Sequence, residues 1–146
     1  MRIAVGSDHA GYPLKEVLIG HLVSLGHDTM DLGTDSDAPV DYPEFGAAVG
    51  RMVAEGEAQV GLCVCGSGIG IAIAANTVPG VRAAVVHDVT TARLARAHNH
   101  ANVVCLGGRI VGEQVAKDAI EAFLSTDEVG GRHARRIAEI AGLEAR

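Results

Sequence analysis

The chain has 146 residues, which is the size of one domain with room for a proper hydrophobic core. Hydrophobic residues make up 48% of it but aromatic residues only 3%, so Val, Ile, Leu and Ala must fill that core, as they do around a buried parallel sheet. The formal net charge of −6 argues against nucleic acid as a partner, because binding nucleic acid requires a basic face.

Strand and helix patterns alternate along the whole chain. Pro13 at the start of the first helical pattern and Gly26 at its end are typical helix start and stop signals. Short apolar runs predict strands over residues 2–7, 27–32, 59–65, 82–86 and 101–106. Apolar residues at helical spacing predict helices over residues 14–25, 43–55, about 69–78, 90–97 and 112–124, and a last helix from about Arg132.

This alternation predicts an α/β protein with a Rossmann-like three-layer sandwich, in which helices cover both faces of a five-stranded parallel sheet. No linker, repeat or low-complexity segment interrupts the pattern, so residues 1–146 are interpreted as one domain. Ligands of such sheets bind at the carboxyl ends of the strands. Polar residues follow the predicted strands or precede the fifth one, and we expect them to gather there: Asp8-His9, Cys65-Gly66-Ser67, His87-Asp88, His98-Asn99-His100 and Gly107-Gly108-Arg109.

The sequence predicts a cytoplasmic protein. The first strand begins at Arg2 with no signal-peptide pattern ahead of it, and three cysteines, an odd number, are typical of reduced thiols. The most apolar run, residues 60–75, contains four glycines and is too short to cross a bilayer, so no membrane is expected as a partner.

The segment from Val60 to Asn76 joins an apolar strand, a glycine-rich turn and an apolar helical pattern, as nucleotide-binding loops do. Ile71 stands where a dinucleotide fingerprint has its third glycine and where the loop of a cysteine phosphatase has an arginine. The Gly-Lys-Ser/Thr of a P-loop is absent, and Cys65 replaces the aspartate of a receiver domain. One Cys-x-Cys pair with scattered histidines also lacks the ligand spacing of a metal site, so no metal is expected.

Cys65 differs from the other two cysteines because a helix N-terminus and unpaired amides should lie beside it. Both features lower the pKa of a thiol and favour its thiolate form. Cys63 and Cys105 lie inside apolar strands and are expected to be inert core thiols. The residues therefore predict a reactive Cys65 beside a nest of amides that can stabilise an oxyanion.

Seven short motifs occur in order between Ile3 and about Arg136: Gly6-Ser-Asp-His-Ala-Gly11, Asp41-Tyr-Pro43, Cys65-Gly-Ser-Gly-Ile-Gly70, Ala74-Ala-Asn76, His98-Asn99, Gly107-Gly-Arg109 and Gly131-Arg-His133. Together they resemble the type B ribose-5-phosphate isomerases, a family that also includes allose-6-phosphate and galactose-6-phosphate isomerases. The resemblance implies interconversion of an aldose phosphate and a ketose phosphate through a cis-enediolate, without a metal or another cofactor.

The resemblance also implies roles for individual residues. Cys65 is the base, Ser67 assists proton movement between the substrate oxygens, and His98 opens the sugar ring. The anion hole consists of the amides of Gly66, Ser67, Gly68, Ile69 and Gly70. The remaining substrate contacts are Asp8 and Asn99 on sugar hydroxyls, His9, Arg109, Arg132 and Arg136 on the phosphate side, and Tyr42 in the lining of the site.

One branch of the family uses a glutamate just after the glycine loop as its base, and Ile71 at that position favours the cysteine branch. In this family the site lies between two subunits, which implies a homodimer or a dimer of dimers. The helix from about Arg132 is then expected to contribute to the shared site. Two alternatives stay open, an isomerase of allose 6-phosphate or galactose 6-phosphate and a non-catalytic sugar-phosphate sensor.

Overall fold

The computed structural model describes all of residues 1–146 and contains five strands and six helices. The strands are β1 (Arg2–Ser7), β2 (Asp28–Asp31), β3 (Val60–Cys65), β4 (Ala83–Val85) and β5 (Val103–Gly107). The helices are α1 (Tyr12–Ser24), α2 (Tyr42–Ala54), α3 (Ile69–Ala75), α4 (Val89–Asn99), α5 (Glu113–Ser125) and α6 (Arg132–Glu144). Every predicted element is present, and most ends differ from the prediction by only one or two residues, the range over which element ends fray.

All strand pairs are parallel, and the strand order is β2-β1-β3-β5-β4. One face of the sheet is covered by α1, α4 and α5, and the other by α2 and α3. The predicted Rossmann-like sandwich with a five-stranded parallel sheet is thus confirmed. Its three central strands end at the same edge, which brings the loops after β1, β3 and β5 together.

The core consists of two apolar layers, one on each face of the sheet. Phe123 is the only aromatic side chain that is buried in either layer, so aliphatic side chains do fill the core as the composition predicts. The strand β3 is buried along its whole length. Because it is the middle strand of the sheet, its last residue, Cys65, lies at the middle of the sheet edge. None of the six helices has both the length and the hydropathy that a membrane-crossing segment needs.

Close backbone packing joins the start of α1 to the end of β3. A Cβ atom added to Gly11 would overlap the carbonyl oxygen of Val64 and lie 2.9 Å from the amide nitrogen of Cys65. Both are backbone atoms, so neither can move aside without shifting the strand. A side chain at position 11 would therefore displace the strand end that carries Cys65.

Gly11→Ala is expected to lower the free energy of unfolding by about 1–3 kcal/mol, because the backbone of β3 must shift to accept the added carbon. Gly20→Ala is the matched control, since nothing lies within 4 Å of a Cβ added there and alanine is the better helix former. Urea unfolding of both variants measures the difference. Equal stability of the two variants would contradict the importance of this contact.

Candidate active site

A pocket of about 630 Å³ opens at the carboxyl ends of β1, β3 and β5. This is where the topology of a parallel sheet places a ligand site. Nine of its twelve lining residues are site residues that the sequence analysis names. The twelve are Asp8, His9 and Ala10 after β1, Tyr42 at the start of α2, Cys65, Gly66, Ser67, Ile69, Gly70 and Ile73 along the β3–α3 connection, and Arg109 and Ile110 after β5.

Cys65 is the last residue of β3, and only 4% of its surface is exposed. The amide of Gly68 donates a hydrogen bond to its Sγ atom over 3.1 Å. Gly68 has φ +80°, a left-handed conformation that favours glycine and turns the chain from the strand into α3. A Cβ atom at this position would also lie 2.9 Å from the carbonyl carbon of Leu106. Glycine at position 68 therefore holds an N–H donor against the sulfur, where it can stabilise negative charge.

The turn after Cys65 carries several unoccupied amide donors. The amides of Gly66, Ser67 and Gly70 donate no hydrogen bond to any group of the chain, as is usual near the first turn of a helix. The amide of Ile69 donates to Ser67 Oγ over 3.2 Å. All of these residues line the pocket, so the turn can hold an oxyanion close to the sulfur.

Two polar side chains at the end of β1 face the same pocket. Asp8 is buried, and one of its carboxylate oxygens accepts a hydrogen bond from the amide of Gly11 over 2.9 Å. The His9 Nδ1 atom lies 3.2 Å from both the amide nitrogen and the carbonyl oxygen of Val40. These contacts fix the orientation of both side chains and connect His9 to the segment that precedes α2.

Tyr42 closes another side of the pocket by packing on the glycine turn. A Cβ atom added to Gly70 would lie 2.6–2.9 Å from atoms of the Tyr42 ring. The absence of a side chain at Gly70 therefore lets the ring lie directly on the backbone. Ile73, one helical turn after Ile69, has 65% of its surface exposed and forms an apolar rim with Ile110.

The pocket lining includes Ala10, Ile73 and Ile110, which sequence reasoning did not single out. Ala10 and Ile110 adjoin the predicted motif residues His9 and Arg109, which is the signal that could have identified them. Ile73 could have been found from its helical spacing to Ile69. None of the three carries a group for acid–base chemistry, so they contribute shape and apolar surface.

Arg109 supplies positive charge next to the amides. A Cβ atom on Gly66 would lie 3.5 Å from Nη1 of Arg109, so the guanidinium group approaches the backbone of the turn. Arg109 is exposed and makes no ion pair with a carboxylate of the chain. An unpaired guanidinium at the mouth of a pocket is suited to bind a phosphate group.

A second group of predicted residues lies elsewhere in the chain. His98, Asn99, Arg132 and Arg136 do not line the pocket that contains Cys65. The reason is the direction of α4, which starts after the carboxyl end of β4 and runs back towards the amino ends of the strands. Within one chain, the polar residues before β5 therefore do not gather with Cys65 at the carboxyl ends of the strands. The site shared between two subunits, which the family resemblance implies, stays a prediction.

Three residues of the second group, His98, Arg132 and Arg136, form a positively charged patch with His133, whereas Asn99 lines a separate pocket. The rings of His98 and His133 are stacked, with centroids 4.0 Å apart and planes at 4°. The pKa of His133 lies below its ordinary value, first because partial burial disfavours the charged ring and then because His98, Arg132 and Arg136 add positive charge around it. This patch is suited to bind an anion.

The other two cysteines remain in the core. Cys63 and Cys105 are fully buried and lie opposite each other on β3 and β5. The pKa of Cys105 is raised well above its ordinary value, first by its hydrogen bond with Cys63 and then by burial. No three side chains among the histidines, cysteines, aspartates and glutamates lie close enough together to hold a metal ion.

Comparisons with known proteins agree with one another. Residues 3–140 match the sequence model of a family described as Ribose/Galactose Isomerase. The chain is 42% identical over 145 residues to ribose-5-phosphate isomerase B of Escherichia coli (strain K12), a match that covers 99% of this chain and 97% of the relative. It is 45% identical to ribose-5-phosphate isomerase B of Mycolicibacterium paratuberculosis, over 99% and 92% of the two chains. The structure is similar to that of Clostridium thermocellum ribose-5-phosphate isomerase B, with a TM-score of 0.98, 45% identity and coverage of 99% and 98%.

Arg136→Gln is expected to raise the pKa of His133, because it removes one of the positive charges that disfavour the protonated ring. The pKa is measured from the histidine ring proton shifts of the wild-type and variant proteins against pH. Arg135→Gln is the matched control on the same helix, since Arg135 lies 3.9 Å from Glu139 and does not contribute to the lowered pKa. An equal change in both variants would show that general charge, and not this cluster, perturbs the ring.

Proposed function

The chain belongs to the ribose/galactose isomerase family, and on that basis we propose that it is an enzyme that interconverts ribose 5-phosphate and ribulose 5-phosphate. The observation that carries the proposal is the pocket at the strand ends, where a buried thiol, open amides and a fixed carboxylate lie together. Relatives that match nearly the full chain at 42% and 45% identity are ribose-5-phosphate isomerases, which supports the choice of substrate.

The reaction moves one proton between two carbon atoms and one between two oxygen atoms. The Cys65 thiolate removes the proton from C2 of the open-chain aldose, and the electron pair of that bond forms the C1–C2 double bond while negative charge moves to O1. The resulting cis-enediolate is stabilised by the open amides of Gly66, Ser67 and Gly70. Cys65 then returns its proton to C1, which yields the ketose.

Ser67 carries the proton between the two oxygen atoms. Its Oγ atom accepts the amide hydrogen of Ile69, so the hydroxyl hydrogen is left to donate elsewhere. A hydroxyl that both accepts and donates can pass a proton from O2 to O1 as the double bond forms. The amide of Gly68 stays on the sulfur throughout and stabilises the thiolate form of the base.

One protomer does not contain the whole site, because ring opening needs an acid–base group beside the ring oxygen and His98 does not line the Cys65 pocket. Helix α6 has no buried residue although Ile137, Ile140 and Leu143 give it an apolar side. The apolar rim around Ile73 is also open, and apolar surfaces of this kind are covered by protein partners. We therefore infer a dimer in which His98 of the partner subunit reaches the Cys65 pocket.

The same dimer completes the phosphate site. Arg132 and Arg136 are one helical turn apart and share a face of α6, so both can converge on one anion. In the dimer they join Arg109 and His9 around the phosphate group. Asp8 holds sugar hydroxyls from within the pocket, and Asn99 of the partner subunit holds them from across the interface. Tyr42 lines the site between these two sets of contacts.

The proposed enzyme is a single domain, residues 1–146, that works in the cytoplasm. All three cysteines are free, and a mechanism that depends on the Cys65 thiol requires a compartment in which thiols stay reduced. In the proposed mechanism, the proton transfers and the ring opening use only groups of the two protein chains and the substrate.

Cys65→Ala is expected to lower kcat for ribose 5-phosphate by about 10³-fold or more, because alanine cannot accept the C2 proton. The assay follows ribulose 5-phosphate formation by purified protein in the presence of EDTA. Cys63→Ala, two residues earlier on the same strand, is the matched control and should keep its activity, since Cys63 is buried away from the pocket.

Each result of this assay has a defined meaning. Full activity of Cys65→Ala would contradict the assignment of the base. Inactive wild-type protein that still binds ribose 5-phosphate would contradict the enzyme assignment and favour a sugar-phosphate sensor. A higher kcat/KM for allose 6-phosphate than for ribose 5-phosphate on the same preparation would contradict the five-carbon substrate.

Mixing Cys65→Ala with His98→Ala tests whether the site is shared. If each site combines Cys65 of one chain with His98 of the other, every mixed dimer has one intact site. Random reassociation of equal amounts makes half of the dimers mixed, so about a quarter of the wild-type activity should return from two inactive parents. The activity is measured after co-refolding or co-expression. Recovery of no activity would indicate that both residues serve the same site from one chain.

A further inference from the structure

Lys15 is the only basic side chain that is buried in the structure, and the proposed mechanism does not use it. It lies in the first turn of α1 with 0% of its surface exposed. Its Nζ atom donates hydrogen bonds to a carboxylate oxygen of Asp31 over 2.7 Å and to the carbonyl oxygen of Thr34 over 2.6 Å. A carboxylate oxygen of Glu16, the next residue of α1, lies 3.5 Å from the same atom. Because a lysine is almost never fully buried unless it is paired, the two shorter contacts, both outside α1, indicate what the residue holds in place.

Both acceptors belong to one short segment beside the end of β1. The Asp31 oxygen that accepts from Lys15 also accepts from the amide of Gly33 over 3.0 Å. The amide of Ser7 donates to the carbonyl of Gly33 over 2.8 Å, and the amide of Thr34 donates to the carbonyl of Ser7 over 2.8 Å. Lys15 and the last residue of β1 therefore hold this segment from two sides.

The segment leads to the pocket, whose lining it enters at Tyr42. We define the wall segment as residues 33–42. Its far end carries Val40, which contacts the His9 ring, and Tyr42, which packs on Gly70. Its near end pairs with Ser7, the residue directly before Asp8. A shift at the near end is thus transmitted both to the end of β1 and to the residues that close the pocket.

We propose that Lys15 is a positioning residue that sets the distance between the wall segment and the end of β1, and thereby the fit of the sugar phosphate. This inference rests on the proposed function. Lys15 itself does not line the pocket, so it acts through Asp8, His9 and Tyr42. Cys65 is held separately, by β3 and by the amide of Gly68, so loss of Lys15 should weaken binding more than it slows proton transfer.

Two variants test this proposal. Lys15→Met keeps the length of the side chain but removes the ammonium group, and is expected to raise KM for ribose 5-phosphate about tenfold while kcat changes less than about threefold. Asp31→Asn weakens one of the two hydrogen bonds of Lys15 Nζ at a side chain that is 43% exposed, where the fold tolerates the change. It should also raise KM, but by a smaller factor. The KM values of both variants are compared with the dissociation constants of ribose 5-phosphate measured by calorimetry.

Lys117→Met is the matched control, because Lys117 lies on α5 and makes no hydrogen bond or ion pair through its side chain. Urea unfolding of each variant measures its stability, so that a loss of stability can be distinguished from weaker binding of ribose 5-phosphate. The rate of Cys65 alkylation by iodoacetamide should be unchanged in Lys15→Met, since the sulfur does not depend on the wall segment. If Lys15 served stability alone, Lys15→Met would lower the free energy of unfolding without raising KM more than it changes kcat.

A double variant checks that Lys15 acts through the wall. His9→Ala removes the contact with Val40, so adding Lys15→Met to it should raise KM by less than Lys15→Met does alone. Fully additive effects would contradict the proposed route.

The failure of this proposal differs from the failure of the proposed function. Unchanged KM and unchanged dissociation constants in both Lys15→Met and Asp31→Asn, next to an active wild type, would overturn the role of Lys15. If Lys15→Met does not fold, KM and the dissociation constant of Asp31→Asn decide whether Lys15 has this role. If the wild type does not isomerise ribose 5-phosphate, the proposed function fails while the dissociation constants still decide the role of Lys15, and absence of any binding overturns both.

Discussion

The close approach of backbone segments around the sulfur of Cys65 is the constraint on which the rest of the site depends. Gly11 lies against the end of β3, and Gly68 lies against Leu106 at the end of β5. A Cβ atom on Gly107 would lie 2.7 Å from the carbonyl carbon of Ser67. Because glycines allow these contacts, the turn after Cys65 is pressed onto the sheet edge, and its amides point at the sulfur and into the pocket.

This arrangement separates two kinds of chemistry between two ends of the sheet. The carboxyl end holds the thiol, the amides and Asp8, which suit proton transfer at carbon and stabilisation of an oxyanion. The stacked histidines and arginines of α4 and α6 form a cationic patch that suits a phosphate group. Neither set is sufficient for the proposed reaction. In the proposed dimer the two sets would meet, and the exposed apolar surfaces of α3 and α6 are candidates for its interface.

Buried polar groups connect stability to the shape of the pocket. Burying the ammonium of Lys15 is costly unless it is fully paired, and its partners Asp31 and Thr34 lie next to the end of β1. The same segment reaches the pocket through Val40 and Tyr42. The pairing that makes this burial tolerable is therefore the pairing that holds the wall of the pocket in place.

The sequence by itself determined the elements, their succession along the chain and the position of Cys65 beside the glycine turn, because these depend on local signals. Apolar spacing identifies strands and helices, and the glycine turn places Cys65 and its amides together without information from elsewhere in the chain. Ile71 stands where one branch of the family has a glutamate base, and this too is read directly from the sequence around the turn. The tertiary structure decided where His98 lies relative to the Cys65 pocket of its own chain, because that depends on the direction in which α4 crosses the sheet. It also revealed Lys15, whose partners lie 16 and 19 residues away along the chain and meet it only when β2 pairs with β1.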